Sequence, residues 1–340
     1  MPATTVQRAV ALESIASPQL WAVTIAGLVV LLVLDFIVTR RPHEVRMREA
    51  VGWSVFYLAL PLVFGAGLWA WAGSTVAVEF FTGYVVEKSL SVDNLFVFML
   101  LLAAFAVPAV LAQRVLLYGI IGALVLRAVF IALGAAALQS GTWAFLLFGA
   151  ILIVTAVKVF RDAASGQQHD VDVSSLRSVR LVRRFMPVTD GYRGSRLMVK
   201  EAGRYALTPL ALAMVAVFAT DIVFAVDSVP AVYGVTEDPF LVFATNAFAL
   251  LGLRALYFVL QGALSKLRYL NHGLSLILAF IGVKLVLHWA HGIWPQVPEI
   301  PTLLSLGVIV TVLVTVTLTS VHANHRDQRK ERVEARPGDR

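Results

Sequence analysis

The stretch Thr220-Asp221-Ile222-Val223-Phe224-Ala225-Val226-Asp227-Ser228-Val229-Pro230 places two carboxylates six residues apart inside a run that is otherwise apolar from Ala206 to Tyr233. On insertion scales an Asp at membrane depth costs about 3 kcal/mol, so two in one span call for a partner or a function. A second stretch, Glu87-Lys88-Ser89-Leu90-Ser91-Val92-Asp93-Asn94, repeats the spacing, with a small polar residue or an amide beside the second acid. Two acid-bearing apolar segments decide the class of protein, and the rest of the chain is read outward from them.

The chain has 340 residues, 59% of them hydrophobic, and a mean hydropathy of +0.81. Soluble domains run at about 45–50% apolar residues, so this composition is that of a membrane protein. Cysteine is absent, which excludes disulfides, thiolate metal sites and haem attachment through thioethers. The net charge of +7 comes from basic residues lying between apolar runs. In a membrane protein that distribution reports orientation, and no nucleic-acid partner is expected. The first apolar run, Leu20–Leu34, lacks the short basic start of a cleavable signal peptide.

Nine runs reach the roughly 20 residues that a helical crossing needs: 19–39, 51–72, 78–104, 114–137, 143–161, 206–233, 240–262, 269–290 and 301–321. The fold class expected is therefore an all-α membrane protein with nine transmembrane helices. Arg40, Arg41, Arg46 and Arg48 follow the first span, and the next connector has no Lys or Arg. Arg114 lies in the third and none in the fourth. The fifth, 162–205, carries Arg177, Arg180, Arg183, Arg184, Arg193, Arg196, Lys200 and Arg204; the seventh carries Lys266 and Arg268. Positive charge alternates from connector to connector, which puts 1–18 outside and the basic tail 322–340 in the cytoplasm of a cell (inner) membrane. The 162–205 segment reads as a solvated cytoplasmic loop touching anionic lipid, with a flexible turn at Gly166–Asp170 and a basic surface helix at Arg177–Phe185. The tail after His322 reads as disordered.

The acid-bearing spans open two related units. Leu126-Arg127-Ala128 in span four matches Leu253-Arg254-Ala255 in span seven, and Val157-Lys158 in span five matches Val283-Lys284 in span eight. Acid pair, Arg and Lys thus recur in order over spans 3–5 (78–161) and 6–8 (206–290), with spans 19–72 and 301–321 outside the repeat. The expected topology makes the two units inverted, an architecture of secondary transporters whose substrate sits near the midplane between repeats. Lys284 falls toward the outer end of its span, so a carboxylate partner or a polar cavity is expected beside it.

Five acids are read as intramembrane: Asp35, within reach of the interface, and the pairs Glu87/Asp93 and Asp221/Asp227. Residues six apart on a helix are offset by roughly 9 Å and lie on different faces, so one helix cannot chelate an ion with both. Two helices crossing at the centre can bring Asp93 and Asp227 together, with Glu87 and Asp221 on the access paths or completing the shell. With Ser91, Asn94, Ser228 and Asn246 the donors are hard oxygens, suited to Mn²⁺, Mg²⁺ or Ca²⁺. Carboxylates this close repel one another in an apolar medium, which would couple cation binding to proton release. The other reading of the acids is structural, as ion pairs with Lys88, Arg127, Lys158, Arg254 and Lys284, and the two readings combine if those cations compensate the acids. His272 and His288 read as interfacial or packing residues.

The Glu87–Phe98 and Ala219–Ala231 stretches resemble the two signatures of the TerC/Alx family of multi-pass membrane proteins, named for tellurium resistance. Thr245-Asn246-Ala247-Phe248 and Phe280-Ile281-Gly282-Val283-Lys284 resemble its later spans, so the likeness covers roughly 20–320. The resemblance implies nine spans with inverted repeats and a role in divalent metal homeostasis, chiefly Mn²⁺ efflux. The family's acidic motif positions fall on Glu87, Asp93, Asp221 and Asp227. The expected function is a divalent cation exporter with no prosthetic group, its substrate Mn²⁺, or Ca²⁺ or Mg²⁺. The alternative is a non-transporting scaffold whose protein partner docks on 162–205. An intramembrane aspartyl protease is disfavoured, because neither Asp93 nor Asp227 follows a Gly-x-Gly.

Overall fold

In an apolar medium the backbone must satisfy its own N–H and C=O groups, so the long Leu-, Val-, Ala- and Phe-rich runs form helices. The computed structural model describes residues 14–39, 47–165, 177–189, 191–201, 204–260 and 269–334; the side chain of Asp93 lies outside that description. The elements are α1 (Pro18–Thr39), α2 (Met47–Ala72), α3 (Ser74–Ala104), α4 (Ala109–Ser140), α5 (Trp143–Ala164), α6 (Arg177–Phe185), β1 (Met198–Glu201), β2 (Arg204–Leu207), α7 (Pro209–Tyr233), α8 (Pro239–Leu250), α9 (Leu253–Leu260), α10 (Leu270–Ile293) and α11 (Thr302–Glu334). The chain is an all-α membrane protein apart from one small hairpin.

Among the described residues, eight helical stretches are long and apolar enough to cross a membrane. The acid-bearing α3 is not one of them, although its 31 residues span about 46 Å. Glu79, Glu87, Lys88 and Asp93 make it too polar, yet it packs against α2, α7, α8, α9, α10 and α11. The expected ninth crossing thus rests on the length and central position of α3, not on its composition. The outermost helices, α1, α2 and α11, present exposed Val, Leu, Ile and Trp side chains such as Val30, Ile37, Val63, Trp69 and Leu303, an apolar surface of the kind lipid covers.

Caps set where helices begin. Thr208 accepts from Ala211 N at 3.4 Å ahead of Pro209, and Asp238 accepts from Phe240 N at 2.8 Å ahead of Pro239, both oxygen caps followed by proline at the first helical position. Asp238 also accepts from Ile15 N at 2.6 Å and Ser14 Oγ at 3.2 Å, tying the start of the chain to α8. Tyr233 Oη donates to Ile131 O at 2.7 Å and fastens α7 to α4.

Three expectations need correction. The seventh span is interrupted: α8 ends at Leu250 and α9 begins at Leu253. Gly252 between them has φ +78°, and a Cβ there would collide with Tyr57 of α2, so both conformation and space require glycine. The 162–205 segment is not simply a solvated loop. Gly166–Asp170 lies outside the described residues, but Arg177–Phe185 forms α6, whose buried Val179 packs in a cluster with Leu102, Ala112 and Leu212. The antiparallel β1–β2 hairpin follows, and Tyr192 Oη donates to Phe105 O at 2.7 Å. Residues 177–207 are a cap folded over the ends of α3, α4 and α7. Finally, α11 runs as helix to Glu334, over most of the tail expected to be disordered.

The closest helix pair is α5 with α10, the two elements that carry the matching Val-Lys motifs. They meet glycine on backbone: a Cβ on Gly149 would lie 2.9 Å from Gly282 O, and one on Gly282 would lie 3.0 Å from Gly149 O. Small residues at such crossings let membrane helices pack closely. Gly149→Val and Gly282→Val should each force the pair apart and destabilise by about 1–3 kcal/mol, read as a lower unfolding temperature in detergent. Gly67→Ala, with open space around it, should leave that temperature unchanged.

Candidate functional site

At the heart of the bundle α4 inserts a fully buried arginine, Arg127, among α3, α7 and α8. Its Nη1 forms an ion pair with Glu87 Oε1 and donates to Asn246 Oδ1 at 2.8 Å. Its Nη2 lies 3.8 Å from Asp221 Oδ1. In the amide orientation that satisfies both groups, Asn94 accepts from Arg127 Nη2 at 3.1 Å and donates to Leu90 O at 3.1 Å. Ser91 Oγ lies 3.5 Å from Glu87 Oε1, and Asn246 Nδ2 donates to Val242 O at 3.0 Å. Asp227, half-buried two turns along α7, interacts electrostatically with Arg127. Acids of both stretches therefore address one guanidinium, Glu87 from the first and Asp221 from the second lying against it.

Several buried atoms of this cluster are bonded to no described group: Glu87 Oε2, Asp221 Oδ2 and Arg127 Nε, and further along α7 the same holds for Ser228 Oγ. Buried polar atoms are normally paired, so a group of orphans at one place marks a site with unused coordinating capacity. Among the described residues no three His, Asp or Glu side chains are grouped to hold a metal ion; the expected meeting of Asp93 with Asp227 lies outside the described residues. What is described around Arg127 is the carboxylates of Glu87 and Asp221, the amides of Asn94 and Asn246 and the hydroxyl of Ser91, a hard-oxygen set with a cation of the protein in its midst.

The remaining cations expected to compensate these acids lie elsewhere. Lys88 Nζ donates to Ala249 O at 3.0 Å, at the C-terminal end of α8, where helix carbonyls lack intrahelical donors and the helix dipole is negative. The break at Gly252 supplies that end inside the bundle. Arg254 binds Asp35, not the paired acids: Nε donates to Asp35 Oδ2 at 3.1 Å, Nη2 pairs with Oδ1, and Nη1 reaches Gln113 Oε1 at 3.4 Å. Tyr57 Oη adds a bond to Asp35 Oδ1 at 3.2 Å. Asp35, expected to reach the interface, is buried in this second ionic centre. Its signal in the sequence was a lone carboxylate in an apolar helix, which needs a buried cation somewhere in the chain. Lys158 is exposed on α5 near Arg161 and Asp162, and among the described residues it forms no ion pair.

Lys284 lines a third polar centre, a cavity of about 620 Å³ with Glu79, Glu237, Asp238, His288 and Glu299. There Thr236 Oγ1 donates to Glu79 Oε2 at 2.7 Å. His288 lies between Glu237 (3.3 Å) and Glu299 (2.9 Å). Glu79 is the second residue of the span 78–104 and is missing from the five acids singled out in the sequence; the structure places it in this cavity.

The membrane-spanning fold agrees with what the chain is similar to. A family model described as integral membrane protein TerC family matches residues 72–329, which contain both acidic stretches, Arg127, Asn246 and Arg254. The chain belongs to the TerC family. It is 41% identical over 315 residues to an uncharacterized membrane protein, STKORF319, of Myxococcus xanthus, covering 92% of this chain and 97% of that one. It is 40% identical over 324 residues to Alx of Photorhabdus laumondii, described as a candidate membrane-bound redox modulator, covering 92% and 98%. An uncharacterized membrane protein of Mycobacterium tuberculosis, Rv2723, is 42% identical over 277 residues, or 81% of this chain and 70% of its own. No solved structure matches.

The Asp35–Arg254 centre is replaceable as a pair but not from one side. Breaking the Asp35–Arg254 pair from one side leaves an uncompensated buried charge, a loss of about 3–5 kcal/mol. Arg254→Ala should therefore lower the unfolding temperature sharply, and the double change Asp35→Leu with Arg254→Met should recover most of the loss.

Proposed function

We propose that this TerC-family protein is a divalent cation transporter, with Mn²⁺ efflux its activity, working by alternating access of two inverted three-helix units. The observation that carries the proposal is the pair of orphaned carboxylate oxygens, Glu87 Oε2 on α3 and Asp221 Oδ2 on α7, buried together at the junction of the two acid-bearing helices. Serine and asparagine oxygens surround them, the ligand chemistry of Mn²⁺, Mg²⁺ and Ca²⁺. The interrupted α8–α9 helix beside this cluster supports the same reading, since discontinuous helices commonly frame ion sites in secondary transporters. In the proposed orientation the 177–207 cap is cytoplasmic and the Glu79–Glu299 cavity is the outer mouth, an acidic vestibule through which a cation would leave. The redox role in the name given to Alx fits a carrier of redox-active metal better than thiol chemistry, because this chain has no cysteine.

Purified protein in liposomes should move Mn²⁺, and a panel of divalent ions at two pH values ranks the substrates and tests proton coupling. Glu87→Gln, Asp93→Asn, Asp221→Asn and Asp227→Asn should each reduce flux at least about tenfold, the equivalent of about 1.4 kcal/mol. Cells lacking the protein should accumulate Mn²⁺ and be rescued by the unaltered chain but not by these variants. Full rescue by the Asp93 and Asp227 variants would refute the site.

The 177–207 cap favours one further reading, a docking role for a protein partner. It presents Arg180, Arg183 and Arg184 beside exposed Leu181 and Phe185. Neutralising the three arginines separates the two: a transporter keeps its Mn²⁺ flux, and a scaffold loses its cellular phenotype while the fold persists.

A further inference from the structure

Transport leaves one conspicuous group without a part to play. Arg127 is fully buried on α4 and reaches Glu87 and Asn94 on α3, Asp221 on α7 and Asn246 on α8. An arginine serving only to close a buried ion pair would be expected to engage its carboxylate through both oxygens, the bidentate geometry in which such pairs are strongest. Here it is divided between two acids of the two acid-bearing helices. Each acid keeps one buried oxygen bonded to no described group, as does the guanidinium its Nε. Asp227 also feels its charge. Arg254, at the matching position of the other unit, is fully engaged by Asp35, Gln113 and, through Asp35, Tyr57. The two arginines are not equivalent: one is anchored and the other is shared.

Resting on the transport reading, we propose that Arg127 is a tethered counter-cation for the acids. A divalent ion drawn to Glu87 and Asp221 would occupy the region where the guanidinium charge now lies. Two cations that close repel strongly in a water-poor interior, so substrate entry and withdrawal of Arg127 are the same event. When the substrate leaves, Arg127 returns, and the carboxylates recross to the loading side without carrying bare charge or a second ion. The residue is a positioning group, not a ligand, and it lets one-way efflux proceed without an obligatory returning cation.

The test uses full-length protein, Mn²⁺ as the probe and three readouts: equilibrium Mn²⁺ binding, Mn²⁺–Mn²⁺ exchange across liposomes, and net Mn²⁺ efflux. Arg127→Gln should bind Mn²⁺ about tenfold more tightly and keep exchange, because a metal can accompany every crossing, yet lose net efflux. A merely structural arginine would not split exchange from efflux. Net efflux retained at unaltered affinity, or binding and exchange lost together in a folded variant, overturns the inference and leaves the transport reading intact. If Arg127→Gln does not fold, Arg127→Lys serves: a single ammonium cannot span both acids, so its Mn²⁺ affinity should rise, and unchanged affinity overturns the inference. Unaltered protein that moves no divalent ion overturns the transport reading and this inference with it.

Discussion

A guanidinium has no low-cost place in an apolar interior unless oxygens surround it, and that constraint organises this bundle. Taking one ion out of water costs several kcal/mol even after the protein relaxes, and Arg127 is fully buried. The helices around it are those that supply oxygen: α3 with Glu87 and Asn94, α7 with Asp221, α8 with Asn246. The acid-bearing helices, α3 and α7, are accordingly those packed against the most neighbours. Apolar α1, α2 and α11 are left to the periphery, where their side chains stand exposed. The charged groups are gathered inside an otherwise apolar core, and the outer surface is apolar as well.

The second centre shows the same constraint solved locally. Asp35 and Arg254 are joined by two contacts, with Tyr57 and Gln113 completing the set, so α1, α2, α4 and α9 meet at a closed, nearly saturated cluster. Arg127 has the opposite character, reaching several partners while leaving acceptors over. A saturated buried network rigidifies what it joins, and a partly satisfied one does not. The two arginines of the Leu-Arg-Ala motifs differ along that line.

Much of this was legible in the residues. The unusual cost of intramembrane acids singled out Glu87, Asp93, Asp221 and Asp227, and of these it is Glu87 and Asp221, expected on the flanks of the site, that meet at Arg127. Hydropathy located the long helices, and the charge of Arg177–Phe185 identified α6. Pairing was not legible. Composition offers five cations to the acids but no rule for choosing among them, and the choice turned on tertiary packing: Lys88 to the open end of α8, Arg254 to Asp35, Lys158 to the surface; Lys284 alone lies as its place near the outer end of its span led one to expect, in a polar cavity with carboxylates. The break in the seventh span also escaped notice. A single glycine in an apolar run reads as a packing residue, and only the Tyr57 ring pressed against Gly252 reveals that the backbone turns there. The hairpin at 198–207 was hidden because its strands are four residues each, too short for an alternation to register.

That turn at Gly252 falls between Asn246, which holds Arg127, and Arg254, which holds Asp35. Were α8 and α9 one continuous rod, any roll of its upper half would wrench the Asp35 cluster by the same angle, and the saturated centre would act as a brake on the shared one. Interrupted there, the two halves are separate lever arms, α9 tied to α1 and α2 through Asp35 and Tyr57 and α8 tied to α4 through Arg127.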